Sequence, residues 1–266
     1  MSTLMSTLEI GGIGLTLEGP EDWLAPLDAA WATWNGPEPG IPVQLLPDAT
    51  LPAPAGPYFE ARPRFVDGVC YLEAPGFVGV IALAEGKAIL RAHPAVTASD
   101  LSYFIRTVIA LAAFEQGALL VHGAGIVHHD VAYILYGLSG SGKSTAAALS
   151  TGRPVLNDDL LLLRPATSGW EVHATPFGRR RHPEVTAAPL RALLRLVQAP
   201  QDALEEISSA QALAELAANS PVVNADVART PLLLQRWQTV LQEIPAYRLH
   251  FRKANTFWEV IDAHFG

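Results

Sequence analysis

The chain has 266 residues, of which 50% are hydrophobic and 17% charged, and its formal net charge is −8. This composition excludes a disordered chain, and the acidic surplus argues against nucleic acid or anionic lipid as partners. Apolar runs such as Val108–Phe114 fall far short of the ~20 residues that span a bilayer, so no membrane partner is expected.

Met1–Ile10 has no basic segment and no long apolar run, so no secretory signal is expected. The single Cys70 cannot form an internal disulfide. It reads as a small buried hydrophobe in a reducing compartment, which points to the cytoplasm. The repeated Met-Ser-Thr-Leu at 1–4 and 5–8 is given no function.

In chain order, residues 9–19 read as strand and turn, and Trp23–Trp34 as a short helix. Gly36–Pro57 is rich in proline and glycine and reads as loop or extended chain. Tyr58–Glu60, Gly68–Glu73 and Gly76–Ala84 read as short strands. Residues 1–95 are therefore expected to form a small β-rich N-terminal region, and residues 96–266 an α/β domain.

That second part opens with a helix. Thr97 and Asp100 can form a capping box, apolar residues from Leu101 to Ala112 recur at helical spacing, and Gly117 can end the helix. Ala118–Val127 and Val131–Tyr136 read as a hairpin about His128-His129-Asp130. Pro154–Leu163 reads as one strand, and Leu190–Val197 fits strand or helix equally. Helices are expected from Ser208 to about Ala218, over Pro231–Gln242 and over Thr256–His264. Ala246–Arg252 reads as a strand between the last two.

Residues 137–144, Gly-Leu-Ser-Gly-Ser-Gly-Lys-Ser, match the phosphate-loop pattern G-x-x-x-x-G-K-[ST], with a strand before and a helix after. Gly137, Gly140 and Gly142 allow backbone angles closed to other residues, so amides can turn inward on a polyphosphate. Leu138, Ser139, Ser141 and Thr145 complete the expected contact set. Lys143 would bridge the outer phosphates and the Ser144 hydroxyl would ligate Mg²⁺. Asp158 and Asp159 end an apolar strand fifteen residues further on. One carboxylate there can hold Mg²⁺ and the other can take a proton from an attacking hydroxyl.

His122, on an apolar strand, reads first as a structural residue. Arg179, Arg180, Arg181 and His182 form a basic loop that could clamp phosphate or an acidic substrate, or simply be solvated. His128, His129 and Asp130 are metal-ligand types with no second cluster at ligand spacing, so no metal is expected there.

Val121-His122-Gly123, the hairpin, the loop Gly137–Ser144 and the Asp158–Asp159 pair occur in the order seen in HPr kinase/phosphorylase, which this segment resembles. The nucleotide site of that family is similar to that of phosphoenolpyruvate carboxykinase. Thr175-Pro-Phe-Gly178, Leu190–Pro200, Ser208–Leu216 and Pro245–Phe251 resemble the smaller HPr-kinase-like proteins, among them kinases of lasso-peptide precursors. The resemblance implies an α/β P-loop kinase domain with a mixed sheet. It implies an ATP- and Mg²⁺-dependent kinase acting on a serine of a peptide or small protein. His122 would then lie near the transferred phosphate. Asp159 or Asp158 would be the base, with the other nearer the metal. Because members of that family form oligomers, a homo-oligomer is consistent with it. Residues 1–95 do not resemble the bifunctional enzyme's N-terminal domain. The downstream phosphorylase segment is not recognisable, and Glu171 and Glu184 are the candidates for a further acidic residue. A free-serine kinase and a nucleotide-dependent switch protein are the rival expectations.

Overall fold

A computed structural model describes residues 2–37, 39–55, 61–178 and 183–266. The chain divides into two compact units, Met1–Gln116 and Gly117–Gly266.

Among the described residues, the first unit is a seven-stranded sheet with two α-helices. In chain order it contains β1 (Thr3–Ile10), β2 (Ile13–Pro20), α1 (Glu21–Trp31), β3 (Ile41–Pro47) and β4 (Arg64–Val66). β5 (Val69–Ala74), β6 (Phe77–Ala82), β7 (Lys87–Ala92) and α2 (Ala98–Glu115) complete it. The strand order is β1-β2-β3-β7-β6-β5-β4. Most of the repeated tetrapeptide, from Thr3 onward, thus lies in a strand, in register with β2 from Thr3 opposite Pro20 to Ile10 opposite Ile13. β3 was hidden by its prolines. It lies inside the sheet, parallel to β2 and β7, and buries Val43 and Leu45. Cys70 is fully buried on β5.

The α2 helix begins at the expected capping box, where the Thr97 amide donates to Asp100 Oδ2 at 2.7 Å. It was expected to open the second unit, but its packing places it in the first. The Phe104 ring meets Phe77 edge-on at 6.2 Å, and the Tyr103 hydroxyl donates to the Ala61 carbonyl. The boundary therefore falls at Gln116–Gly117, twenty-one residues later than composition suggests.

The second unit contains β8 (Leu119–His128), β9 (Val131–Tyr136), α3 (Lys143–Leu149), β10 (Val155–Asn157), β11 (Leu160–Ala166) and β12 (Gly169–His173). β13 (Ala187–Gln198), β14 (Ala203–Glu206), α4 (Ser209–Ala218), α5 (Thr230–Glu243), β15 (Ala246–Phe251) and α6 (Phe257–Phe265) follow. β9 lies between β8, to which it is antiparallel, and β13, to which it is parallel. β13 continues in parallel to β15, and β14 pairs antiparallel with β15. On the far side of β8, β10 pairs near Ile126 and β11 pairs from Leu119 to His122. β11 pairs with β12, and β12 with the start of β13. The ladders β8–β9–β13–β12–β11 therefore form a closed circuit.

Period-two alternation decides the packing. Tyr133 and Leu135 of β9, with Leu194 of β13 and Leu249 of β15, join a core with Ala146 and Ala147 of α3 and Phe257, Trp258 and Ile261 of α6. Helix α4 packs with α5, whose Trp237 is fully buried and donates from Nε1 to Ser220 Oγ at 2.8 Å. The architecture is α/β with mixed sheets and a β-rich N-terminal part. No helix among the described residues is long and apolar enough to cross a membrane.

Candidate functional site

β9 delivers the chain into the glycine-rich loop, whose Gly137, Gly140 and Gly142 all have positive φ, at 148°, 80° and 104°. Gly142 has a second constraint: a Cβ there would stand 2.6 Å from Cζ of Phe251. Lys143 is buried and folds back along the loop. Its Nζ donates to the Gly137 carbonyl at 2.8 Å and to the Leu138 carbonyl at 3.2 Å. The lysine thereby ties the last turn of the loop to its first. Gln198, at the end of β13, donates from Nε2 to the Gly140 carbonyl at 2.9 Å. Leu138, Ser139, Gly140, Ser144 and Thr145 are exposed. Ser141 Oγ, by contrast, is buried and has no hydrogen-bond partner among the described residues. An oxyanion seated in the loop would supply one. Helix α3 is only seven residues long, so an anion at the loop would depend on the loop amides and Lys143 rather than on a long helix dipole.

The expected single strand over 154–163 is broken in two by the acidic pair. Asn157 is the cause. It is fully buried, and its Oδ1 accepts from the amides of Asp159 at 2.8 Å and Leu160 at 3.3 Å. This side-chain turn ends β10 and restarts the chain as β11. Asn157 Nδ2 donates to the Thr175 carbonyl at 2.7 Å, and Thr175 Oγ1 donates to the Leu160 carbonyl at 2.7 Å. Gly178 closes on the same group, since a Cβ there would lie 2.3 Å from Asn157 Oδ1.

The turn presents Asp159 to His122. His122, opposite Leu160 across the β8–β11 ladder, has Nε2 3.4 Å from Asp159 Oδ1. The backbone at this point is held on both sides. The His122 amide donates to the Asn219 carbonyl at 2.8 Å, and the Gly123 amide to the Asp159 carbonyl at 3.0 Å. Lys143 lies within electrostatic reach of Asp159. Burial lowers its pKa, and the negative charge of Asp159 opposes that shift. Loop, acidic turn and histidine therefore form one electrostatic group. Asp158 is half-buried within the same turn.

Asn157, Thr175, Gln198 and Asn219 were given no site role in the sequence, although Thr175 and Gln198 lie in segments that carry the resemblance. Only the first carried a readable signal, because Asn followed by two Asp at a strand end is turn chemistry. Arg179, Arg180, Arg181 and His182 lie outside the described residues. Glu171 pairs with His173 at 2.8 Å on β12, and Glu184 is exposed.

The hairpin histidines meet Asp262 of α6, and the three offer ligand atoms within 4.8 Å of one another. Their hydrogen bonds oppose metal binding. Arg153 Nε donates to His128 Nδ1 at 3.1 Å, so the ring proton sits on Nε2, which donates to Asp262 Oδ1 at 2.6 Å. A ligating histidine needs the opposite arrangement, with its outer nitrogen donating. Arg153 also lies over the Trp258 ring at 4.5 Å, so this is an Arg153–His128–Asp262 chain that fastens α6 to the hairpin.

The family described as SynChlorMet cassette protein ScmC matches residues 93–266, which include the whole of the second unit. This chain belongs to that family. The matched span contains every residue of the candidate site described above, and residues 1–92 lie outside it. No curated protein matches the chain.

Proposed function

We propose that this ScmC-family chain is an ATP-dependent kinase that transfers the γ-phosphate to a serine hydroxyl of a peptide or small protein. The carrying observation is that Lys143, in the phosphate loop, feels the charge of Asp159, which in turn faces His122. In this reading the loop is a phosphate cradle and Asp159 is the proton acceptor that works beside it. Such a pairing serves in-line transfer to a hydroxyl, which depends mainly on positioning and charge neutralisation. The resemblance to HPr kinase/phosphorylase supports the same reading.

In this reading the loop amides and Lys143 hold the β- and γ-phosphates. The serine oxygen attacks the γ-phosphorus as its proton passes to Asp159, and the bond to the ADP oxygen breaks. His122 donates toward Asp159 or the phosphoryl oxygens and fixes the carboxylate's direction. Ser144 and Asp158 are oxygen donors, the set that suits Mg²⁺, and would hold it. That ion, when bound, would neutralise charge on the phosphates.

The test is transfer of labelled γ-phosphate from ATP and Mg²⁺ into a desalted lysate of the source organism, with wild type beside Asp159→Asn. A labelled peptide or protein band made only by the wild type is the expected result. Label in free serine would move the reading to a small-molecule kinase. Label found only as inorganic phosphate would move it to a nucleotide switch.

A further inference from the structure

The departure of the phosphate loop opens a gap in the sheet beside His122. The β8–β9 ladder ends with Gly123 opposite Tyr136, where Gly137 turns the chain out of β9 at φ 148°. Amides of successive strand residues point to opposite neighbours. The Gly123 amide donates to the Asp159 carbonyl on the β11 side, so the His122 amide faces the side that β9 has left. The Asn219 carbonyl, at the C-terminal end of α4, takes that place and accepts the His122 amide at 2.8 Å. A helix end thus stands in for a strand at the residue of β8 whose side chain faces Asp159.

We infer that Ser220 is a positioning residue for His122, acting through the Asn219 carbonyl, and that Trp237 holds Ser220 in place. The role of His122 in transfer rests on the kinase reading; the restraint on its backbone does not. Three observations carry the inference. The Asn219 carbonyl belongs to the planar peptide unit that also holds the Ser220 amide, so whatever fixes Ser220 aims that carbonyl. The Ser220 hydroxyl is buried and bonded on both sides. It donates to the Leu216 carbonyl at 3.0 Å and accepts from Trp237 Nε1 at 2.8 Å, which ties the end of α4 to α5. Finally, the chain turns back at Val222, a β-branched residue at φ 71° and ψ −61°. The Val223 amide closes that γ-turn on the Pro221 carbonyl at 2.9 Å. A strained turn of this type persists only where its surroundings fix the backbone. The Ser220–Trp237 bond supplies such a hold two residues away.

The effect on chemistry is indirect. His122 Nε2 stands 3.4 Å from Asp159 Oδ1, a distance set by where the β8 backbone lies at residue 122. If the Asn219 carbonyl drifts, the imidazole drifts with it. The phosphate loop keeps its own contacts through Lys143 and Gln198. Transfer should therefore suffer and ATP binding should not.

The experiment follows two readouts on the full chain with Ser220→Ala and Trp237→Phe. The first is hydrogen exchange of the His122 amide relative to that of Gly123, by NMR. The second is the rate of γ-phosphate transfer from ATP into a fixed amount of desalted lysate, as a function of ATP concentration. Val240→Ala, which removes buried apolar volume from α5 and leaves the hydroxyl and the indole intact, is the control for lost stability. Ser220→Ala should speed His122 exchange at least tenfold over Gly123 and lower the maximal rate at least tenfold. The ATP concentration at half-maximal rate should stay within twofold. Trp237→Phe should move both readouts the same way by a smaller factor, and Val240→Ala should move neither. The inference is overturned if the His122 amide ignores both Ser220→Ala and Trp237→Phe, or if Val240→Ala reproduces their effects. It is also overturned if exchange responds and the maximal rate does not. Exchange that responds as expected in a protein that transfers no label to any acceptor overturns the kinase reading and leaves the restraint on His122 standing.

Discussion

The Asn157 side-chain oxygen accepts the Asp159 amide at 2.8 Å, so a neutral, fully buried residue sets the direction of a half-exposed carboxylate. Substituting Asn157 by Ala leaves the Asp159 and Leu160 amides and the Thr175 carbonyl without that partner. A lost buried hydrogen bond of this kind costs about 1–3 kcal/mol. Urea unfolding should show that loss. Phosphate transfer should fall further than nucleotide affinity, because the carboxylate moves and the loop does not.

Gly142 and Gly140 both have positive φ, but they differ in what surrounds them. A Cβ at Gly142 meets the Phe251 ring, whereas at Gly140 nothing lies within 4 Å. Gly140→Ala should therefore cost only the left-handed backbone penalty, about 1–2 kcal/mol. Gly142→Ala should cost more and also weaken triphosphate binding, because Phe251 and the loop must separate. Thermal unfolding of the two variants side by side gives the comparison.

Lys143 should give nucleotide binding an alkaline limit. Its pKa lies below the usual lysine value because it is buried. The free protein thus loses the proton at lower pH than an exposed lysine would, and bound phosphate favours retaining it. Affinity should fall as pH rises through the lowered pKa, before the usual 10.5 is reached. Lys143→Arg keeps its charge throughout this range, so its affinity should lack that alkaline fall. A pH series of ATP affinities decides the matter.

The Arg153–His128–Asp262 chain predicts weak metal affinity at the hairpin. Wild type should gain no thermal stability from micromolar Zn²⁺. Arg153→Ala frees His128 Nδ1 and allows the other tautomer, so Zn²⁺ should bind that variant more tightly. Stabilisation of the wild type by Zn²⁺ would contradict the tautomer assigned from Arg153.

The glycine-rich turn at 137–142, the hairpin before it and the turn chemistry at the acidic pair after it were readable because each rests on local chemistry. Glycines must supply positive φ, and continuous apolar runs such as Val131–Tyr136 make buried strands. Other features were set by tertiary packing and escaped the sequence. The β3 strand contains Pro42 and Pro47, yet its neighbours bury Val43 and Leu45 and hold it extended. The α2 helix was legible in its caps but not in its allegiance, which Phe77 and Ala61 decide. At the site, His122 read by itself as an ordinary strand histidine, and only the family resemblance gave it a role. Its meaning comes from Asp159 across the β8–β11 ladder, a pairing between residues thirty-seven positions apart.

The closed circuit of ladders has a kinetic consequence. Its last member to be synthesised, β13, must pair with β12 through Ala187–Pro189 and with β9 through Leu190–Arg195. The second pairing closes a stretch of nearly sixty residues, a long loop whose entropy is lost before its contacts form. Gln198, which steadies Gly140, sits at the end of that same strand. The phosphate loop thus gains its support only when the slowest long-range pairing is complete, so competence to bind phosphate should emerge late in refolding, in step with the β9–β13 ladder.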